Sequence, residues 1–280
     1  MLTEMLNNVR ENKPLVHNIT NFVTVNDCAN IVLASGGSPI MADGVDEVEE
    51  ITSICASLNI NIGTLNDATR EAMLRAGKKA NAVGHPVVLD PVGVGASTLR
   101  NETTVQLIKE VQFAVIRGNI SEMKFIAQLL DIEVETASHS RGVDASDEDA
   151  VTAENLGEAV EFAKSMARAT GSVIAMTGAI DIVANEQKAY CIFNGHAEMS
   201  TITGTGCQLS ALLGAYLGAN PSTPLEAAAT AVIVMGVCGE IGHERMTELD
   251  GNSSYRNYII DAVQRLTPEQ LEEKARYEVR

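Results

Sequence analysis

Along almost its whole length the chain alternates short runs rich in Val, Ile and Leu with longer stretches whose apolar residues recur every three to four positions, and this rhythm restricts the fold more than any other feature. Strands are predicted at Ser38–Ala42, Ile60–Ile62, Pro86–Asp90, Phe113–Arg117, Ser172–Met176, Asp181–Ala184 and Lys188–Phe193. Helices are predicted at Val25–Ala34, Val45–Leu58, Asp67–Val83, Thr103–Val111, Glu122–Leu130, Leu156–Ala169, Cys207–Leu217, Leu225–Gly242 and Tyr255–Leu266. Strand, helix and strand in succession make a parallel β-α-β unit. The expected fold is therefore α/β, a central, mostly parallel sheet flanked by α-helices on both faces, with ligands at the carboxyl ends of the strands. The segment Asp131 to Ala150 breaks the rhythm and carries the acidic run Asp144 to Asp149, which reads as a solvated loop. The alternation resumes at Asn155, so residues 1–280 are expected to form a single domain. The charged tail from Pro268 to Arg280 reads as a short helix or a frayed end.

A chain of 280 residues with 45% hydrophobic content can bury a large core. Its 37 acidic and 20 basic residues leave a net charge of −17, which argues against a nucleic-acid surface and against docking on an anionic membrane. A phosphate ligand must then be received locally, by helix termini, a bound magnesium ion and a few basic side chains. The five cysteines, Cys28, Cys55, Cys191, Cys207 and Cys238, show neither disulfide nor zinc spacing, and a reducing cytoplasm is the expected location. The first residues, Met1 to Lys13, are polar and amphipathic rather than a secretion signal, and the Ala-rich run Ala227 to Val237 reads as a buried helix.

Chemistry is concentrated at the ends of the predicted strands. Thr203-Gly204-Thr205-Gly206-Cys207 leads into the apolar run from Gln208 to Leu217, a loop opening onto a helix. The first N–H groups of a helix lack intrahelical partners and carry partial positive charge, so Gly204, Thr205, Gly206 and Cys207 can form an anion hole. The same setting favours thiolate over thiol, which makes Cys207 a candidate proton acceptor. The strand ending Leu89-Asp90-Pro91-Val92-Gly93 turns sharply away and leaves Asp90 at the ligand crevice, where it can hold a magnesium-bound water or cap the next element. Arg117, Asn119 and Glu122 follow at the end of the next strand; Asn119 with Glu122 is also a capping pair, and both roles can coexist. Met176-Thr177-Gly178 ends a third strand and supplies a hydroxyl. Met41 can line an apolar ring pocket or belong to the core, and His17 reads as a structural hydrogen-bonding group.

The segments Pro14–Asn21, Ser38–Ala42, Leu89–Gly93, Arg117–Asn119 with Glu122, and Gly204–Cys207 together resemble the hydroxyethylthiazole kinases of thiamine salvage, within the ribokinase-like superfamily. The likeness runs through almost the whole chain. It implies a homotrimer with active sites at subunit interfaces, and transfer of the γ-phosphoryl group of ATP to the hydroxyl of 4-methyl-5-(2-hydroxyethyl)thiazole with Mg2+. It further implies that Met41 and the backbone of Gly204 contact the thiazole, that Asn21, Gly63 and Thr64 belong to the shared pocket, that Arg117 and Thr177 hold ATP, and that Asp90 and Glu122 organise the magnesium. Many sugar kinases of the superfamily carry Asp where this chain has Cys207, whereas thiazole and pyrimidine kinases often have Cys. Three other readings remain. Hydroxymethylpyrimidine or phosphomethylpyrimidine kinases share the glycine-cysteine loop but begin with a glycine- and serine-rich substrate segment. NAD(P)H-hydrate dehydratases place Asp in the loop, and a non-catalytic nucleotide sensor would bind ATP without turnover.

Overall fold

The computed structural model describes residues 1–132 and 151–280; from residue 133 on, the predicted acidic loop lies outside the described residues. In chain order the elements are α1 (Leu2–Asn12), β1 (Leu15–Ile19), α2 (Val25–Ser35), β2 (Ser38–Ile40), α3 (Val48–Ile54), β3 (Ser57–Asn61), α4 (Asp67–Val83), β4 (Val87–Asp90), α5 (Thr98–Glu110), β5 (Val115–Asn119) and α6 (Ile120–Leu129). They continue with α7 (Leu156–Thr170), β6 (Val173–Thr177), β7 (Asp181–Ala184), β8 (Ala189–Ile192), a 3-10 turn at Ala197–Thr201, α8 (Thr205–Ala219), α9 (Pro224–Glu244), α10 (Asn252–Arg265), α11 (Pro268–Lys274) and β9 (Tyr277–Val279).

Among the described residues, nine strands hydrogen-bond into one sheet, in the order β2-β1-β3-β4-β5-β6-β7-β8-β9. The pairs from β2 through β6 are parallel, and β7, β8 and β9 add an antiparallel end. Successive side chains of a strand point to opposite faces, so the sheet feeds two separate apolar cores. Val16, Val88, Val115 and Val173 face α1, α2 and α8 to α11. Leu58, Ile60, Leu89, Ile116 and Ile174 face α3 to α7 on the other side. Helix α9 is 21 residues long and apolar enough to cross a bilayer by length and composition, but 83% of its most apolar stretch is buried inside the fold, as befits a core helix.

Several elements depart from the sequence expectation, each for a local reason. The predicted helix Val45–Leu58 ends at Ile54, because Cys55 turns extended and the same apolar run continues as β3; with no Gly or Pro between them, periodicity alone merges the two. Helix α5 begins five residues earlier than Thr103, where Ser97 caps it by accepting from the Arg100 N–H at 3.3 Å. Helix α1, with Leu2, Met5, Leu6 and Val9 buried along one stripe, was not anticipated as a helix. The charged tail takes the short-helix alternative and adds an edge strand that was not expected.

Strand β1 was also missed, since His17 and Asn18 interrupt its apolar run. Both are fully or nearly fully buried and paired. His17 Nε2 lies 2.8 Å from the Ala42 carbonyl, which can only accept, so Nε2 carries the proton and Nδ1 accepts from the Thr52 hydroxyl at 2.9 Å. Burial lowers the His17 pKa, holding the ring neutral, with the Ala42 bond opposing. A base depressed in the fold contributes stability above its unfolded value of about 6.5 and loses that contribution as pH falls below it. His17→Gln should therefore be less stable than the parent at pH 8, with the gap narrowing at pH 5, as read by thermal unfolding at both values. An equal gap would mean that the ring does not titrate with folding.

Candidate active site

The strand ends explain how the polar side chains converge. Val88 and Val115 point toward α8, and a period of two places Asp90 and Arg117 on that same face at the carboxyl ends of β4 and β5. Register sets Asn61 beside Asp90, and Asn119 beside Thr177. Helix α8 starts over these ends. Gly204 is its N-cap, with φ of +89° that an L side chain rarely adopts, and a Cβ there would overlap the Thr24 side chain. Two residues on, a Cβ at Gly206 would overlap the Arg117 guanidinium, so the first turn of α8 can meet that group only as bare backbone.

Asp90 is fully buried. Its Oδ2 accepts from Asn61 Nδ2 at 2.9 Å and from Ser210 Oγ at 2.7 Å, and lies 3.6 Å from Arg117 Nη1. Burial pushes the carboxyl up to about 6, with the Arg117 charge opposing and Glu122 adding to the rise. Arg117 also donates from Nη2 to Thr177 Oγ1 at 2.8 Å, which joins the two residues expected at the nucleotide. Cys207 Sγ accepts from Asn21 Nδ2 at 3.0 Å and from Asn61 Nδ2 at 3.2 Å, so its own proton points away from both amides. The expectation that a helix N-terminus favours the thiolate meets stronger opposition: burial first, and then the Asp90 charge, raise the Cys207 pKa above its ordinary value.

Other expected residues take defined places. Gly63 donates its N–H to Asn61 Oδ1 at 2.9 Å, and a Cβ on it would fall 2.6 Å from Asn21 Nδ2. Thr64 Oγ1 accepts from the Phe22 N–H at 3.2 Å, and Thr205 Oγ1 donates to the Met199 carbonyl at 3.5 Å. Both oxygens of Glu122 accept backbone N–H groups, Oε1 from Gly93 at 3.0 Å and Oε2 from Asn119 at 2.9 Å, while Asn119 Oδ1 accepts from the Glu122 N–H at 2.8 Å. The capping pair is thus fully formed, and Glu122 braces the β4 turn as well as its own helix. Met41 is half-buried against the core on the α8 face, its chain held by the His17 bond to Ala42.

Three residues at the heart of this cluster escaped the sequence reading. Asn61 bonds Asp90, Cys207 and the Gly63 turn together, and Ser210, on the first turns of α8, bonds Asp90. Arg100 clamps the loops after β3 and β4, donating to the carbonyls of Ile62 at 2.8 Å, Val92 at 2.5 Å and Gly63 at 2.7 Å. A signal for Asn61 was present: Ser57, Asn59 and Asn61 alternate with Leu58 and Ile60, the pattern of a strand whose second face is polar and buried.

Comparison with known proteins identifies the family. The model of the hydroxyethylthiazole kinase family matches residues 6–269. This chain belongs to the hydroxyethylthiazole kinase family. A hydroxyethylthiazole kinase of Clostridium acetobutylicum is 59% identical over 278 residues, covering 99% of each chain. One from Ruminiclostridium cellulolyticum is 46% identical over 275 residues, covering 98% of this chain and 96% of its own. Among solved structures, a hydroxyethylthiazole kinase protein from Pyrococcus horikoshii OT3 superposes with a TM-score of 0.86 at 32% identity, covering 100% of this chain and 98% of that one. A Staphylococcus aureus pyridoxal kinase in complex with AMP-PCP and pyridoxal shares the fold, at a TM-score of 0.61 and 16% identity over 96% of this chain and 98% of its own. The expected ribokinase-like architecture is therefore borne out.

Proposed function

We propose that this chain transfers the γ-phosphoryl group of ATP to the hydroxyl of 4-methyl-5-(2-hydroxyethyl)thiazole, in line and without a phosphoenzyme. Family membership over residues 6–269 supports the reaction class. The observation that carries the site is the meeting of Cys207, Asp90 and Arg117 at the start of α8, linked through Asn61 and Gly206. The test is ADP formation with the thiazole alcohol and with hydroxymethylpyrimidine side by side. Faster turnover of the pyrimidine would reverse the assignment.

In this reading the free N–H groups from Gly204 to Cys207 face the transferring phosphoryl group, and Arg117 with Thr177 holds the nucleotide phosphates. Cys207 orients the alcohol and takes its proton late, since a loose transition state has little need of an ionised nucleophile at the outset. Asn21, Gly63 and Thr64 close the pocket, with Met41 and Gly204 against the thiazole. The residues fit a magnesium ion in one respect: Asp90 Oδ1 is buried and meets no donor among the described residues. Asp90 would hold the ion through water, and the ion would neutralise phosphate charge; Glu122, committed to two backbone N–H groups, would contribute only its remaining lone pairs.

A homotrimer with shared sites is part of the proposal, supported by Phe22 and Val23, which are 75% and 61% exposed beside Asn21. Sedimentation of the active species measures it, and a fully active monomer would refute it. A reducing cytoplasm is supported by five unpaired, buried cysteines.

The raised Asp90 carboxyl gives a further expectation. An acid whose folded pKa exceeds its unfolded value near 3.9 costs stability as pH rises through that interval, by up to about 3 kcal/mol for a value of about 6. Asp90→Asn should abolish turnover yet gain stability relative to the parent on going from pH 5 to pH 8. Thermal unfolding of both proteins at the two pH values reads this out, and a relative loss at pH 8 would show that the ion pair with Arg117 outweighs the burial of the charge.

A further inference from the structure

A second constellation lies outside the residues assigned to phosphoryl transfer. His196 caps the 3-10 turn that leads toward Gly204, accepting at Nδ1 from the Glu198 N–H at 3.3 Å, and His243 lies in the last turn of α9. Their rings stack with centroids 3.5 Å apart at 21°, and Tyr255 meets the His243 ring edge-on at 5.9 Å. Glu198 Oε1 is 3.5 Å from His243 Nε2. One donor atom from each of His196, Glu198 and His243 falls within 4.8 Å of the others.

No lysine or arginine among the described residues claims the acid of this trio. The neighbouring acid, Glu240, is committed to Arg276 at 2.7 Å and to the Gly195 N–H at 2.7 Å. Among the described residues, the ionic contact of Glu198 is with His243 alone. Two imidazoles and a carboxylate make a three-donor set of the kind that zinc-class ions take. We propose that His196, Glu198 and His243 form a binding site for one divalent ion of the zinc class, with solvent completing the coordination.

Bond lengths of about 2.0–2.2 Å around a tetrahedral zinc place neighbouring donors roughly 3.3–3.6 Å apart. The Glu198–His243 pair already has that spacing. A lone pair lies in the plane of its ring, so the stacked imidazoles must hinge apart to share an ion, and His196 must give up the Glu198 N–H that engages its acceptor nitrogen; both rings are half-buried rather than enclosed, which leaves room for that movement. Imidazole nitrogens select zinc, cobalt or nickel over magnesium, which keeps several waters and prefers oxygen, so this site is chemically distinct from one serving ATP. Binding would tie the turn to the end of α9. The turn is already coupled to α8, because the Met199 carbonyl accepts from Thr205 Oγ1 at 3.5 Å.

Calorimetric titration of the metal-free full chain with Zn2+ tests the proposal, with Co2+ as a spectroscopic probe. The expected result is one ion per chain and the visible absorption of tetrahedral cobalt, both lost in the double variant His196→Ala/His243→Ala. No binding by the parent chain, or unchanged binding by the double variant, overturns it. Should the double variant fail to fold, Glu198→Gln at the exposed ligand decides: weakened Zn2+ binding supports the site, and unaltered affinity overturns it.

Discussion

Cys207→Ala should lower turnover by roughly 10²–10⁴-fold, the usual range for a positioned proton acceptor, while leaving the KM for the thiazole alcohol close to that of the parent. The structure makes the pH profile the sharper readout. Because burial and Asp90 raise the thiol above its ordinary value, only a small fraction is ionised near neutrality, and parent turnover should climb with pH through the alkaline range. The alanine variant should lack that rise. Parallel pH profiles for the two proteins would leave Cys207 as the packing element at the start of α8 and end its role as acceptor.

Arg117→Ala should raise the KM for ATP and reduce turnover by roughly 10²–10³-fold, comparable to the loss of an anion-hole donor. Its guanidinium faces Asp90, bonds Thr177 and lies against the backbone at Gly206, with Nε meeting no acceptor among the described residues. A lysine ammonium, as a single point, cannot serve those directions together, so Arg117→Lys should recover little. Gly206→Ala should reproduce part of the loss, because the added methyl displaces the guanidinium without removing its charge. Unchanged ATP kinetics in Arg117→Ala would move the nucleotide elsewhere on the sheet.

What the sequence disclosed followed from which interactions are local. Helix α4 is predicted over the same residues it occupies, since its apolar stripe is bounded by the Asn66 capping box and by Gly84 at φ +76°. The Asn119–Glu122 cap was legible for the same reason. Strand β1 was not, because its polar residues are satisfied by partners far along the chain, His17 by Thr52 and Asn18 by Asn59. The site divides likewise. Asp90, Arg117, Thr177 and Cys207 each sit at or within two residues of an element boundary that pattern can find, whereas Asn61 and Ser210 reach Asp90 through contacts that cross 29 and 120 residues of sequence. The expectation of a thiolate at Cys207 does not hold, because the helix end is written locally while the burial and the acid opposing it are brought by the fold.

The polar seam beneath α8 bears on how steadily the thiol is aimed. A helix resting on a sheet through apolar contacts alone can roll about its axis at small penalty, and each residue of slippage swings its side chains by about 100°. Here Ser57 Oγ donates to the Gly214 carbonyl at 2.7 Å and Ser210 Oγ to Asp90 at 2.7 Å, two directional bonds on the underside of the same helix. Such bonds weaken steeply when bent, so they act as teeth of a gear that has been stopped. The azimuth of Cys207 is therefore fixed partway along α8, and its fidelity depends on serines that need never meet the substrate.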